Sequence, residues 1–116
     1  MRHRKGYRKI KRSTPHRLAF LKNITKEIVK HGKIETTIAK AKECRRFIEK
    51  IITIAKKQNQ QSRRRVFSIL QNKEMTEKMF KEIVGKYKER NGGYTRIVRT
   101  GIRKGDGAQK VIIELV

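Results

Sequence analysis

The chain has 116 residues, with 33 Lys+Arg against 10 Asp+Glu and a formal net charge of +23. That excess opposes compaction and favours polyanionic partners, while a hydrophobic content of 35% allows one modest core in one domain. No apolar run reaches the length of a membrane span, no apolar segment follows the basic N-terminus as a signal peptide would require, and the single cysteine, Cys44, excludes an internal disulfide framework and fits a reducing cytosol.

The first 26 residues carry ten Lys/Arg and no acid; the first carboxylate is Glu27. Residues 1–13 have no apolar period, with only Tyr7 and Ile10 among the charges. Such a run repels itself and cannot build a core. It makes sense against a dense polyanion, where each Lys or Arg that meets a phosphate releases condensed counterions. Residues 1–13 are therefore expected to be a basic extension, and residues 14–116 a single α/β RNA-binding domain. Arg2, Arg4, Lys5, Arg8, Lys9, Lys11 and Arg12, with His3 and Tyr7, form the candidate RNA contacts of the extension. Guanidinium groups suit phosphates and base edges, and rings suit stacking. His16 and Arg17 continue the set.

Thr14-Pro15 predicts a helix start, with Thr14 as N-cap and Pro15 at the first helical position, where its missing N–H costs nothing. Leu18, Leu21, Ile24 and Ile28 recur at helical spacing up to about His31, and Gly32 suits a left-handed stop. Lys33 to Thr36 is short enough for a small strand. Thr36 can cap a helix over about 37–58, whose stripe of Ile38, Ala41, Cys44, Ile48, Ile51, Ile52 and Ala55 faces inward. Lys42, Arg46, Lys50 and Lys57 give that helix a basic, unpaired outer side.

A shorter helix over about 61–70 carries Arg63-Arg64-Arg65 and then Val66, Phe67, Ile69 and Leu70. A cationic cluster at a helix N-terminus opposes the helix dipole, which an anion would compensate. Arg63 and Arg64 are the candidates, since three successive residues cannot share one surface. A fourth helix over about 73–84 places Met75, Met79, Phe80, Ile83 and Val84 inward. Its charges are expected to pair as Glu74–Lys78, Glu77–Lys81 and Glu82–Lys86, leaving it nearly neutral. After Gly92-Gly93 the period changes to two: 94–102 and 109–116 read as β-branched strands around a basic Gly-rich turn. Tyr94, Arg96, Arg99, Arg103 and Lys104 complete the candidate RNA-binding set.

Catalytic patterns are missing from the sequence. His3, His16, His31 and Cys44 match no zinc spacing, so no metal or cofactor is expected. Cys44 lies on an apolar stripe, where a core role outweighs a nucleophilic one. Gly101 to Gly107 follows a strand but leads into another strand, which defeats a nucleotide-loop reading. Asp106 is explained by turn chemistry. These residues point to a nucleic-acid binder with a small α/β core. They leave open a free-standing nucleoid protein or RNA chaperone, and argue against an RNA-processing enzyme.

A resemblance narrows this. Met1-Arg2-His3-Arg4-Lys5, His16-Arg17, Thr36-Thr37, Lys40-Ala41-Lys42-Glu43, Arg45, Gly92-Gly93-Tyr94-Thr95-Arg96-Ile97, Gly105-Asp106 and Ile113-Glu114-Leu115-Val116 together resemble the bacterial large-subunit ribosomal protein seventeen family, collinearly over essentially the whole chain. Ala39 stands where many relatives have Pro, and Pro15 where many have Ser. The resemblance implies an α+β, two-layer fold: about four helices on a small mixed β-sheet, in the order α-β-α-α-α-β-β. It implies a structural, non-enzymatic role in the cytoplasm, binding large-subunit ribosomal RNA on the solvent side near the peptide exit. Neighbouring large-subunit ribosomal proteins are the other implied partners, with no membrane and no homo-oligomer.

Overall fold

A computed structural model describes residues 13–116; the sequence-based expectations for residues 1–12 lie outside the described residues. Helix α1 (Thr14–His31) starts one residue earlier than the Pro15 signal suggests. Ser13 is the N-cap, with no side-chain bond, and Thr14 is already helical. Its inner stripe is Leu21, Thr25, Ile28 and Val29, whereas Leu18 is left exposed. Thr25 is tolerated inside because its hydroxyl donates to the Leu21 carbonyl at 2.7 Å. Gly32 ends the helix at φ +81°, giving its N–H to Ile28 O at 2.7 Å, a conformation that costs a side-chain-bearing residue steric strain.

Strand β1 (Lys33–Thr37) leads directly into α2 (Ile38–Ala55), with Thr37 rather than Thr36 at the cap. Helix α3 (Gln60–Leu70) opens on a reciprocal capping box: Asn59 Oδ1 accepts from Ser62 N at 2.7 Å, and Ser62 Oγ accepts from Asn59 N at 3.1 Å. Gln71 closes it at φ +53°. The fourth helix begins as α4 (Lys73–Lys78), capped by Asn72, widens into a π-helical turn (Met79–Ile83) and ends as α5 (Val84–Lys86).

None of the three expected Glu–Lys pairs is among the ion pairs of the described residues. For Glu77–Lys81 and Glu82–Lys86 the wider turn moves positions four apart off a common line. Glu74–Lys78 lies in regular helix before it, and there Lys78 instead donates to Lys30 O at 2.7 Å.

Strands β2 (Thr95–Ile102) and β3 (Gln109–Leu115) form a hairpin, and the sheet order is β1-β3-β2. Both neighbours of β3 run antiparallel to it. The expected mixed sheet is therefore corrected: β1 and β2 do run parallel, but the last strand lies between them, so no parallel pair forms. A small antiparallel sheet needs cover on one face only. Val111 and Ile113 face the helices and are fully buried; α2 lies across the sheet and packs also on α1, α3 and the π-helical turn. Ile48, Ile51, Ile52, Ala55 and Cys44 of α2 form the middle of the core. The fold is α+β, helices with a small three-stranded antiparallel sheet.

Candidate nucleic-acid interface

Two contacts fix α2 against the sheet. Thr95 Oγ1 donates to Glu49 Oε1 at 3.0 Å, and Lys56 Nζ lies 3.1 Å from the Tyr94 hydroxyl. Thr37, just before α2, is level with Lys110 and so with Gly101, whereas Glu49 meets Thr95, so α2 runs from the far end of β2 toward its start. Lys42, in the first turns of α2, therefore lies nearer the hairpin end of the sheet than Glu49 does.

There the hairpin leaves the helix layer behind: every residue from Val98 to Gly107 is exposed. Arg99 pairs in register with the buried Val111, so it stands on the helix side of the sheet. Arg103 and Lys104 follow in the turn, and Gly107, at φ +68°, lets the chain fold back. The exposed Lys42 of α2 and the hairpin cations thus lie toward the same end of the sheet, with Arg46 and Lys50 following along the helix. Exposed Arg45, on the same helix surface, belongs with them; its spacing three residues after Lys42 was the available signal.

Not every cation here is equally available. Arg45 Nε lies 3.7 Å from Glu49 Oε1, and Arg46 Nη1 lies 4.0 Å from Glu43 Oε1, which corrects the expectation of a wholly unpaired stripe. Glu43 is the reason: as the acid between Lys42 and Arg46 it sits buried at the helix flank within reach of Arg46. Lys42 and Lys50 are in no ion pair among the described residues. At the tip, Arg103 Nε donates to Asp106 Oδ1 at 3.1 Å and Nη2 donates to Oδ2. These bonds hold the Asp106 carboxyl well below the usual carboxylate range and push the Arg103 guanidinium up. Ala108 N gives Asp106 Oδ1 a further bond at 3.1 Å.

Two expected contacts sit elsewhere. Tyr94 is 2% exposed, and its ring packs 5.2 Å from that of Tyr87. Its hydroxyl lies between Lys56 and Arg90 O, the latter at 3.2 Å. Burial pushes the phenol up, but the Lys56 hydrogen bond and its companions outweigh that, and the net shift is downward. The sequence reads this tyrosine as the first residue of a strand and an RNA contact, but the strand begins at Thr95 and the ring is turned inward. Arg96 is exposed but lies on the face of the sheet away from the helices, bonded through Nε to Glu114 Oε1 at 2.8 Å. Lys110 and Glu35, 3.7 Å apart, pair across that same face, so its charges are locally cancelled.

On α3, Arg63, Arg64 and Arg65 are all exposed and the helix carries no acid. Arg63 holds its guanidinium 4.8 Å from the Phe80 ring centroid. Phe67, expected inside, is 50% exposed, because Ser62, Val66 and Leu70 already fill the inner stripe. His16 is exposed and Arg17 half-buried on the first turns of α1. Arg2, His3, Arg4, Lys5, Tyr7, Arg8, Lys9, Lys11 and Arg12 lie outside the described residues. Cys44 is fully buried, and burial pushes its thiol up to about 12, which leaves it no thiolate to attack with near neutrality.

A model of the ribosomal protein L17 family matches residues 20–116. The chain belongs to the ribosomal protein L17 family. Its relatives match over full length: large ribosomal subunit protein bL17 of Sulfurimonas denitrificans is 54% identical over 116 residues, covering 100% of both chains. The bL17 proteins of Campylobacter concisus and Fusobacterium nucleatum are each 53% identical, covering 100% of this chain and 98% and 100% of their own. Membership of the L17 family makes the chain a structural ribosomal protein and not an enzyme.

Proposed function

We propose that the chain holds its place in the bacterial large ribosomal subunit, in the cytoplasm, by neutralising ribosomal RNA phosphates on two described surfaces. One is the side shared by Lys42, Lys50, Arg99, Arg103 and Lys104, with Arg45 and Arg46 adjoining. The other is the acid-free α3. The basic residues 1–13 act as an extension of the 14–116 domain and add phosphate contacts of their own. The observation that carries this reading is the antiparallel packing of α2 on β2, anchored at Glu49–Thr95. It supports the reading by setting the start of α2 and the hairpin toward the same end of the sheet.

The chemistry is charge neutralisation and shape recognition, with no bond made or broken. The pre-paired sheet face of Arg96–Glu114 and Lys110–Glu35 has less call for phosphate, and suits a neighbouring large-subunit protein. Self-association is not part of the reading. Sedimentation tests it: the chain should travel with the large subunit after a moderate salt wash. Recovery at the top of the gradient would favour a free-standing RNA chaperone instead. Cross-linking within intact ribosomes should then find rRNA bonded to Lys42 and Lys104.

A further inference from the structure

Phe67 has more surface in solvent than any other aromatic side chain among the described residues. Phe20 and Phe47 are half-buried, while Phe80, Tyr87 and Tyr94 are buried. Its position explains what surrounds it. Helical side chains lean toward the N-terminus, so the ring lies over the turn that carries Arg63 and Arg64, four and three residues earlier. The Phe80 ring under the Arg63 guanidinium holds that cation in place. Gln71, whose N–H bonds to Phe67 O at 2.7 Å, turns left-handed and ends the helix there, so no further turn covers the ring.

A shallow groove continues from this point between the end of α3 and the start of α1. It holds about 350 Å³ and is lined by Leu18, Lys22, Lys26, Leu70 and Gln71 among others, with no acid in its walls. An acid-free, cationic rim suits a phosphate backbone. Here every charge on α3 and in the groove is positive.

We propose that Phe67 is a stacking platform for an unpaired base of ribosomal RNA, with Arg64 and Arg63 holding the flanking phosphates and the Lys22–Lys26 groove receiving the next nucleotide. Ring faces stack on any base, and arginine supplies the charge that keeps the backbone close. The inference rests on the rRNA-binding reading above and adds to it a specific nucleotide site.

The chain has no tryptophan, so Phe67→Trp introduces a single indole reporter in the full-length protein. Titrating that variant with large-subunit rRNA fragments should quench its emission. Heparin, a polyanion without bases, should bind and leave the emission unquenched. Phe67→Leu, which keeps an apolar side chain at an exposed position and so preserves the fold, should weaken rRNA binding by about 5- to 150-fold, the range for one stacked base. Equal quenching by heparin, or Phe67→Leu binding as tightly as the parent, would overturn the proposal while leaving charge-driven rRNA binding intact. Quenching seen only in assembled subunits would overturn it in favour of a protein neighbour. Failure of the parent chain to bind the fragments at all would overturn the underlying reading and the stacking site with it.

Discussion

The ammonium of Lys78 lies 2.7 Å from the carbonyl oxygen of Lys30, so the fourth helix caps the C-terminus of the first. A cation there meets both an orphan carbonyl and the negative end of the α1 dipole. Lys78→Met should lower stability by about 1 kcal/mol at low salt, seen as a drop in Tm that shrinks as salt is added. rRNA affinity should stay unchanged. A Tm equal to the parent's would mean that the contact is not maintained in solution.

Cys44 gives a pH dependence with a definite sign. Its thiol is raised to about 12 in the folded chain, against about 8.5 in an unfolded one. Above about pH 9 the unfolded state sheds a proton that the folded state keeps, so this contribution to stability is present at neutral pH and declines as pH rises toward 12. A thiol reagent should react slowly with the native protein at pH 8 and quickly in denaturant. Cys44→Ser, which puts a hydroxyl among apolar side chains, should cost about 1–3 kcal/mol in urea unfolding. Rapid labelling of the native chain would contradict the buried placement.

Asp106 limits how much of Arg103 can be spent on phosphate. Asp106→Asn keeps an oxygen for Ala108 N but frees the guanidinium. The salt dependence of rRNA binding should steepen by about 0.7–0.9, the slope of one added phosphate contact. In the parent, the Asp106 carboxyl should titrate below the usual range of about 3.9 by NMR. The pair's contribution is present above that value and is lost as pH falls through the depressed one. Arg103→Gln should return the titration to normal; a titration indifferent to that change would remove Arg103 as its cause.

Helix periodicity made most of the fold legible. The stripe of Ala41, Cys44, Ile48, Ile51, Ile52 and Ala55 is buried as its spacing implies, and Gly32 stops α1 where a left-handed residue was needed. The misses have local causes. Phe67 and Leu18 are apolar, but neighbours at better angles take the core positions, and a pattern of apolar letters does not rank them. The π-helical turn over Met79–Ile83 leaves no mark in an otherwise ordinary helix, yet it undoes the Glu77–Lys81 and Glu82–Lys86 spacing. Tyr94 reads as a strand residue open to RNA, but its ring packs on Tyr87 inside the core, a pairing that no sequence pattern announces. Strand order is the deepest omission, since nothing in Val111-Ile112-Ile113 says that β3 will lie between β1 and β2. The basic character of the site was plain from composition. Which cations lie toward the same end of the sheet was not, because that depends on the direction in which α2 crosses it.

The central claim is that affinity comes from placed cations and not from net charge, and two charge-matched double variants test it directly. Lys42→Glu with Lys50→Glu reverses two unpaired, exposed cations on the α2 side, while Lys73→Glu with Lys81→Glu reverses two exposed cations on the fourth helix. All four positions lie off the apolar core, so both proteins should fold. Binding of each to the same rRNA fragment at about 100 mM salt should differ sharply. The α2 variant should lose at least about 100-fold, because each swap both removes a phosphate partner and sets a like charge against the backbone. The fourth-helix variant should stay within about threefold of the parent, since more distant charges are screened over about 10 Å. Equal losses in the two proteins would show that binding follows the total charge of the chain, and would contradict the surface assigned to α2 and the hairpin.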